Sequence, residues 1–165
     1  SVDGVDFKVW EMKHQRMPID KGDYSHNFNH CARKYKIAMD VYTSKVVWIS
    51  GPHKAGVHDK TIFVAGLKAK IPQGRKFISD RVYGAKAEPD DQALPALPYP
   101  CGDPVLANFK ARARSRDESF NGRLKFFCLL ADIYHHDLKN HGHVFEAVAV
   151  TVQYQMDMGR KLFDA

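Results

Sequence analysis

Three acidic side chains, Asp3, Asp80 and Glu118, sit where they could hold hard divalent cations. Asp3 lies in a short apolar run, Ser1-Val-Asp-Gly-Val-Asp-Phe, and Asp80 closes another, Lys76-Phe-Ile-Ser-Asp. Glu118 lies in a basic stretch with helical patterning, residues 111–125. Two carboxylates at strand ends and one on a later helix can converge on a pair of Mg²⁺ or Mn²⁺ ions, which prefer oxygen ligands. Two such ions roughly 3.5–4 Å apart can position a nucleophilic water and stabilise the leaving oxygen of a phosphodiester.

Rival carboxylates are less well placed. Asp6 follows Asp3 by three residues, so on a strand it points to the opposite face. Asp40 falls in the middle of an apolar stretch. Asp117 neighbours Glu118 but points about 100° away from it on a helix. The helix face of Glu118 also carries Ala111, Arg114, Ser115, Asn121, Gly122 and Lys125, while Phe109, Phe120 and Phe127 lie nearly opposite. Glu118 is therefore expected off the apolar face. Arg114, Arg123 and Lys125 are candidates for contacting DNA phosphates.

The elements that must position these groups follow from periodicity and from Gly and Pro. Residues 2–9 read as a strand, and residues 11–33 as a polar loop or extended hairpin. Residues 35–42 and 45–49, apolar and β-branched, suggest an antiparallel hairpin around Thr43-Ser44, ended by Gly51-Pro52. Residues 56–70 form a plausible amphipathic helix with Asp59 in its first turn, where a carboxylate complements the positive helix end. Residues 75–79 are a short strand leading to Asp80. Five prolines make residues 88–104 a loop excursion rather than a regular element. Helices are expected over residues 106–130 and 144–156. Trp48 and Tyr42 are expected to pack on the sheet. This pattern gives an α/β fold with helices on a mixed sheet, in one domain spanning 1–165.

The formal net charge of +6 favours a polyanionic partner without proving one. It is concentrated in residues 106–125, which hold six basic residues against Asp117 and Glu118. The longest apolar run, residues 144–152, is broken by Glu146 and is too short to cross a membrane. Cys31, Cys101 and Cys128 have neither zinc-site nor disulfide-framework spacing and read as reduced thiols of an intracellular protein. His135, His136, His141 and His143 lack a Cys or carboxylate spaced to complete a zinc site and read as loop histidines. Tyr24, Phe28 and Tyr35 with Lys21, Arg33, Lys34 and Lys36 form a weak basic-aromatic signal for stacking on unpaired bases. No phosphate-binding glycine loop and no nucleophilic Ser or Cys motif is present.

Along the chain stand Asp3-Gly4, Val47-Trp48-Ile49-Ser50-Gly51-Pro52, Val57-His58-Asp59-x-Thr61-Ile62-Phe63, Asp80-x-x-Tyr83-Gly84, Glu118-x-x-Asn121-Gly122-Arg123-Leu124-Lys125 and Phe145-Glu146-Ala147-Val148. In this order they resemble the catalytic domain of Harbinger-type DDE transposases, the DDE superfamily endonucleases, over nearly the whole chain. The resemblance implies an RNase H-like mixed sheet, with acids on the first strand, after the fourth and on a later helix. It implies two metal ions, Mg²⁺ or Mn²⁺, with Asp3 bridging them, Asp80 on one and Glu118 on the other. It implies DNA as substrate, hydrolysed and then joined by transfer of the freed 3′-hydroxyl. His58 and Asp59 match a recurrent His-Asp pair, which either approaches the site or caps its helix. The resemblance further implies a nuclear location and an N-terminal or separate DNA-reading domain outside this chain, which is then a fragment; a homo-oligomer is compatible with it. Two departures stand out: Val82 where the family has Gly before Tyr, and Asn121 where many relatives have Phe. The alternative is a catalytically inactive, host-adopted DNA-binding or scaffold protein that keeps the fold.

Overall fold

The protein is described by a computed structural model over residues 1–10, 20–79, 93–95 and 103–162. The strands are β1 (Val2–Lys8), β2 (Tyr24–Ser25), β3 (His30–Met39), β4 (Val46–Lys54), β5 (Phe77–Ser79) and β6 (Ala93–Pro95). The helices are α1 (Asp59–Gly66), α2 (Pro104–Leu124), α3 (Cys128–Ala131) and α4 (His141–Asp157). The strands form one mixed sheet. β3 pairs antiparallel with β1, from Val2↔Ala38 to Lys8↔Ala32, and antiparallel with β2 and β4. β1, β5 and β6 are parallel, with Val2↔Ser79 and Ser79↔Pro95 in register. The chain is thus an α/β protein with helices flanking a mixed sheet, as its pattern implies.

Each face of the sheet has its own core because β1 and β3 alternate. Val5 and Phe7 of β1, with Tyr35, Ile37 and Met39 of β3, meet Phe120 and Leu124 of α2 and Phe145, Val148, Ala149, Val152 and Met156 of α4. Val2 and Ala38 turn the other way, toward Phe63, Leu67, Phe77 and the partly buried Trp48. Each large side chain so buried contributes about 1.5–3 kcal/mol. Trp48 packs on the sheet as expected; a Cβ at Gly66 would come within 2.7 Å of its ring. Tyr42 does not, being 87% exposed in the turn after β3.

Several boundaries differ from the sequence pattern for identifiable reasons. β3 begins at His30 because the polar segment before it is a hairpin, with Tyr24↔Cys31 and Ser25↔His30 paired. The β3–β4 turn is longer than two residues. Asp40, expected in mid-strand, instead organises that turn by accepting from the Thr43 N–H (3.1 Å) and Oγ1 (2.5 Å), while Ser44 takes φ 59°. β4 runs through Gly51-Pro52 to Lys54 rather than ending there. Gly51 is required at that point: its φ is 148°, and a Cβ would press on the Tyr35 ring and on the Lys34 carbonyl at 2.9 Å. α1 is shorter than residues 56–70, the remainder closing as a single 3₁₀ turn at Lys68–Lys70. A strand, β6, lies inside the Pro-rich excursion; Pro95 falls at its end, where a missing N–H costs least. The helix expected over 106–130 breaks at residues 125–127 into α2 and α3. Asp103 caps α2 by accepting from the Val105 N–H (2.9 Å), with Pro104 at the first helical position.

α4 starts at His141, three residues earlier than the pattern suggests, and His141 is not a loop residue. It is fully buried, its Nδ1 2.6 Å from the Tyr35 hydroxyl, beneath Tyr134 (ring centroids 4.8 Å apart). Tyr35 in turn stacks on Phe145 at 3.8 Å. Burial lowers the His141 pKa to about 4. The unfolded chain therefore binds a proton at His141 below about pH 6.5 that the folded chain refuses until about pH 4, so stability is lost as pH falls through that window. His141→Gln, which keeps a neutral acceptor for Tyr35, is expected to remove up to about 3 kcal/mol of this acid-side loss. Urea melts of both proteins from pH 7 to pH 4 measure it; parallel curves would refute the assignment.

Candidate metal and phosphate site

Asp3 is held from two directions. The Gly4 N–H donates to its Oδ1 at 2.7 Å, and Asn121 Nδ2, from α2, donates to its Oδ2 at 2.8 Å. Both partners are neutral, and among the described residues Asp3 forms no ion pair. Burial raises its pKa above the usual carboxylate value, against the lowering effects of the Gly4 N–H and the Lys36 and Arg114 charges. A carboxylate oxygen has lone pairs beyond one hydrogen bond, so both oxygens retain capacity for a cation.

Glu118 stands one helical turn before Asn121 on α2, on the neighbouring part of the same face. As the pattern implies, it is off the apolar core: its side chain is 60% exposed and paired with Arg114, Nε to Oε1 3.1 Å. Asp117, set aside on sequence grounds, is buried and accepts from the Ser1 hydroxyl at 2.6 Å. Burial raises its pKa to about 6. Asp80 lies outside the described residues. The residue before it, Ser79, pairs with Val2, next to Asp3. Among the described residues no three His, Cys, Asp or Glu side chains form a group that could hold a metal. The donors placed here, the Asp3 and Glu118 carboxylates, are of the hard-oxygen kind that suits Mg²⁺ or Mn²⁺.

His58 and Asp59 divide the roles expected of them. The cap of α1 is His58, whose Nδ1 accepts from the Lys60 N–H at 3.3 Å. Asp59 instead forms ion pairs through one oxygen with two ammonium groups from β3, Lys34 Nζ at 3.3 Å and Lys36 Nζ at 3.5 Å. Lys36 is 2% exposed, and burial lowers its pKa against the raising effect of Asp59. Gly4 lies opposite it: a Cβ there would sit 2.9 Å from Nζ and 3.4 Å from Asp59 Oδ1, so a side chain would displace the ammonium. Asp6 points away from Asp3, as alternation requires, and accepts from Ser25 Oγ at 2.7 Å.

The phosphate candidates part company. Arg114 is engaged by Glu118. Arg123 does not face the site; it donates to the Arg160 carbonyl and, at 3.1 Å, to that of Lys161, tying α2 to the segment after α4. Lys125 reaches over the Phe28 ring, 5.5 Å from its centroid. Asn121 and Lys36 are noted in the sequence for other reasons, a departure from the family pattern and a basic-aromatic signal, and not as partners of Asp3 and Asp59. The signal for Asn121 was its i+3 spacing from Glu118. For Lys36 it was a lone charge inside the apolar run Tyr35-Lys-Ile-Ala-Met, where a lysine needs a partner.

Asp59→Ala removes the ion-paired carboxylate from the buried Lys36 and is expected to destabilise the fold by up to about 3 kcal/mol. Adding Lys36→Met should recover much of that loss, since the buried charge is gone. Denaturant midpoints of the two variants check this, and a double variant less stable than Asp59→Ala would contradict it. The chain matches no protein-family model, no curated protein and no solved structure.

Proposed function

We propose that this chain is a divalent-metal-dependent DNA endonuclease domain of Harbinger-type DDE architecture, with Asp3, Asp80 and Glu118 as metal ligands. The observation that carries the reading is Asp3: a partly buried carboxylate, held only by neutral donors and without an ion pair among the described residues. Burying such a charge is costly, and a bound cation offsets that cost. The order of elements supports the same reading. Setting aside the two-residue β2, the acids fall on the first strand, directly after the fourth and on the helix that follows. That is the order expected of an RNase H-like sheet. The bound ions would supply Lewis-acid activation of water and stabilisation of the leaving oxygen. The chain's own part is to fix Asp3 through Gly4 and Asn121 and to present Glu118 on the same helix. The net positive charge suits a DNA partner. No helix among the described residues is long and apolar enough to cross a membrane. A nuclear site of action follows from the family resemblance.

The exposed Glu118–Arg114 pair favours a second reading, a DNA-binding or scaffold protein that keeps the fold without cleaving. Nicking of supercoiled plasmid in Mn²⁺ separates the two. The nuclease reading expects cleavage that is abolished by chelation. It expects losses on the order of a hundredfold or more in Asp3→Asn and in Glu118→Gln, with DNA affinity retained. Cleavage that survives Glu118→Gln would remove Glu118 from the site; no metal-dependent cleavage by the unaltered protein would leave the binding reading.

A further inference from the structure

Beyond Asp3, β1 ends in an arrangement that hydrolysis alone does not explain. Lys8 Nζ lies 5.3 Å from the centroid of the Phe28 ring, and Lys125 Nζ lies 5.5 Å from the same centroid. Lys8 comes from the end of β1, Phe28 from the β2–β3 hairpin and Lys125 from the C-terminal cap of α2. Lys125 alone would be unremarked, since a cation complements a helix C-terminus. Its convergence with Lys8 is different. Two like charges approach one ring, and among the described residues neither has a carboxylate partner. A phosphate would supply an anionic partner to these ammonium groups.

Two residues past Lys8 stands Trp10, 52% exposed, with its ring 4.7 Å from that of His135. Val9 between them is buried and bridged to Tyr134, so Lys8 and Trp10 both point away from the core. Trp10 is also fixed through its backbone, its N–H donating to the Tyr134 carbonyl at 2.8 Å. An exposed indole held rigid beside unpaired lysines has the composition of a stacking platform for single-stranded nucleic acid. Lys8 lies five residues along β1 from Asp3 and, by alternation, on the other face of the strand, while Lys125 is ~6 Å along α2 from Asn121, which holds Asp3.

We propose that Trp10, Lys8, Phe28 and Lys125 form a binding surface for an unpaired DNA strand, the indole stacking on a base and the two lysines flanking a backbone phosphate. Phe28 is a positioning residue whose ring both ammonium groups approach. The surface rests on the reading of the chain as a DNA-processing protein, and it names the form of DNA taken: an unpaired strand.

Tryptophan fluorescence tests it directly, because the chain has only Trp10 and Trp48. Oligothymidylate is titrated in EDTA, so that no cleavage intervenes. The protein and its Trp48→Phe variant, in which Trp10 is the sole reporter, should both be quenched. Trp10→Ala should weaken binding roughly ten- to hundredfold. Lys8→Ala and Lys125→Ala should each lower the slope of log affinity against log salt by about 0.7. No quenching in Trp48→Phe, or salt slopes that do not change, overturns the proposal; so does equal binding of a blunt duplex. Plasmid nicking is scored separately. Quenching without nicking keeps this surface and removes the nuclease, whereas nicking without quenching does the reverse.

Discussion

Strict alternation along β1 is the constraint on which the rest of the structure depends. The strand is paired with β3 over its whole length and with β5 at Val2, so its side chains can go only up or down. Val5 and Phe7 commit one face to α2 and α4, and Val2 commits the other to the α1 side. Asp3 then has to emerge on the α2 side, where Asn121 meets it. Gly4 has to face Lys36, where the missing side chain admits a buried ammonium. A one-residue slip of β1 would exchange these faces and bury Asp3 against the apolar α1 layer.

Charge compensation distinguishes the acids from one another. Asp59 takes two lysines from β3, Asp40 closes a turn, and Glu118 keeps Arg114 at the surface. Each of these carboxylates has a local explanation. Asp3 is partly buried with only an amide and a backbone N–H as hydrogen-bond donors, and the loss of solvent around it raises its pKa. A protein interior tolerates such a group when the fold needs it for something other than stability. The same reasoning moves Arg123 from the DNA-facing set to the structural one, since its guanidinium is spent on two carbonyls.

Much of the architecture was legible in the sequence because it rests on periodicity. The strand of Asp3, the antiparallel β3–β4 pair, the helix bearing Glu118 and the helix ending near Met156 all follow from apolar spacing. The features that escaped depend on tertiary partners. β6 hides among prolines and, among the described residues, is paired with β5. His141 reads as one of four polar histidines, yet Tyr35, a hundred residues away in the chain, draws it into the core. The break at residues 125–127 carries no Gly or Pro, and nothing local announces it. At the site, types and order of the acids were readable. The partners that fix them were not, because Asn121 and Lys36 acquire their roles only when α2 and β3 are laid against β1.

The measurement closest to the central claim is a crystal structure grown in Mn²⁺, with the ion located by its anomalous scattering. The account predicts an ion on Asp3, with Glu118 turned from Arg114 to join it and Asp80 completing the ligands. An empty Asp3 at millimolar Mn²⁺, with Glu118 still on Arg114, would contradict it and leave a DNA-binding protein that has kept only the frame of a nuclease.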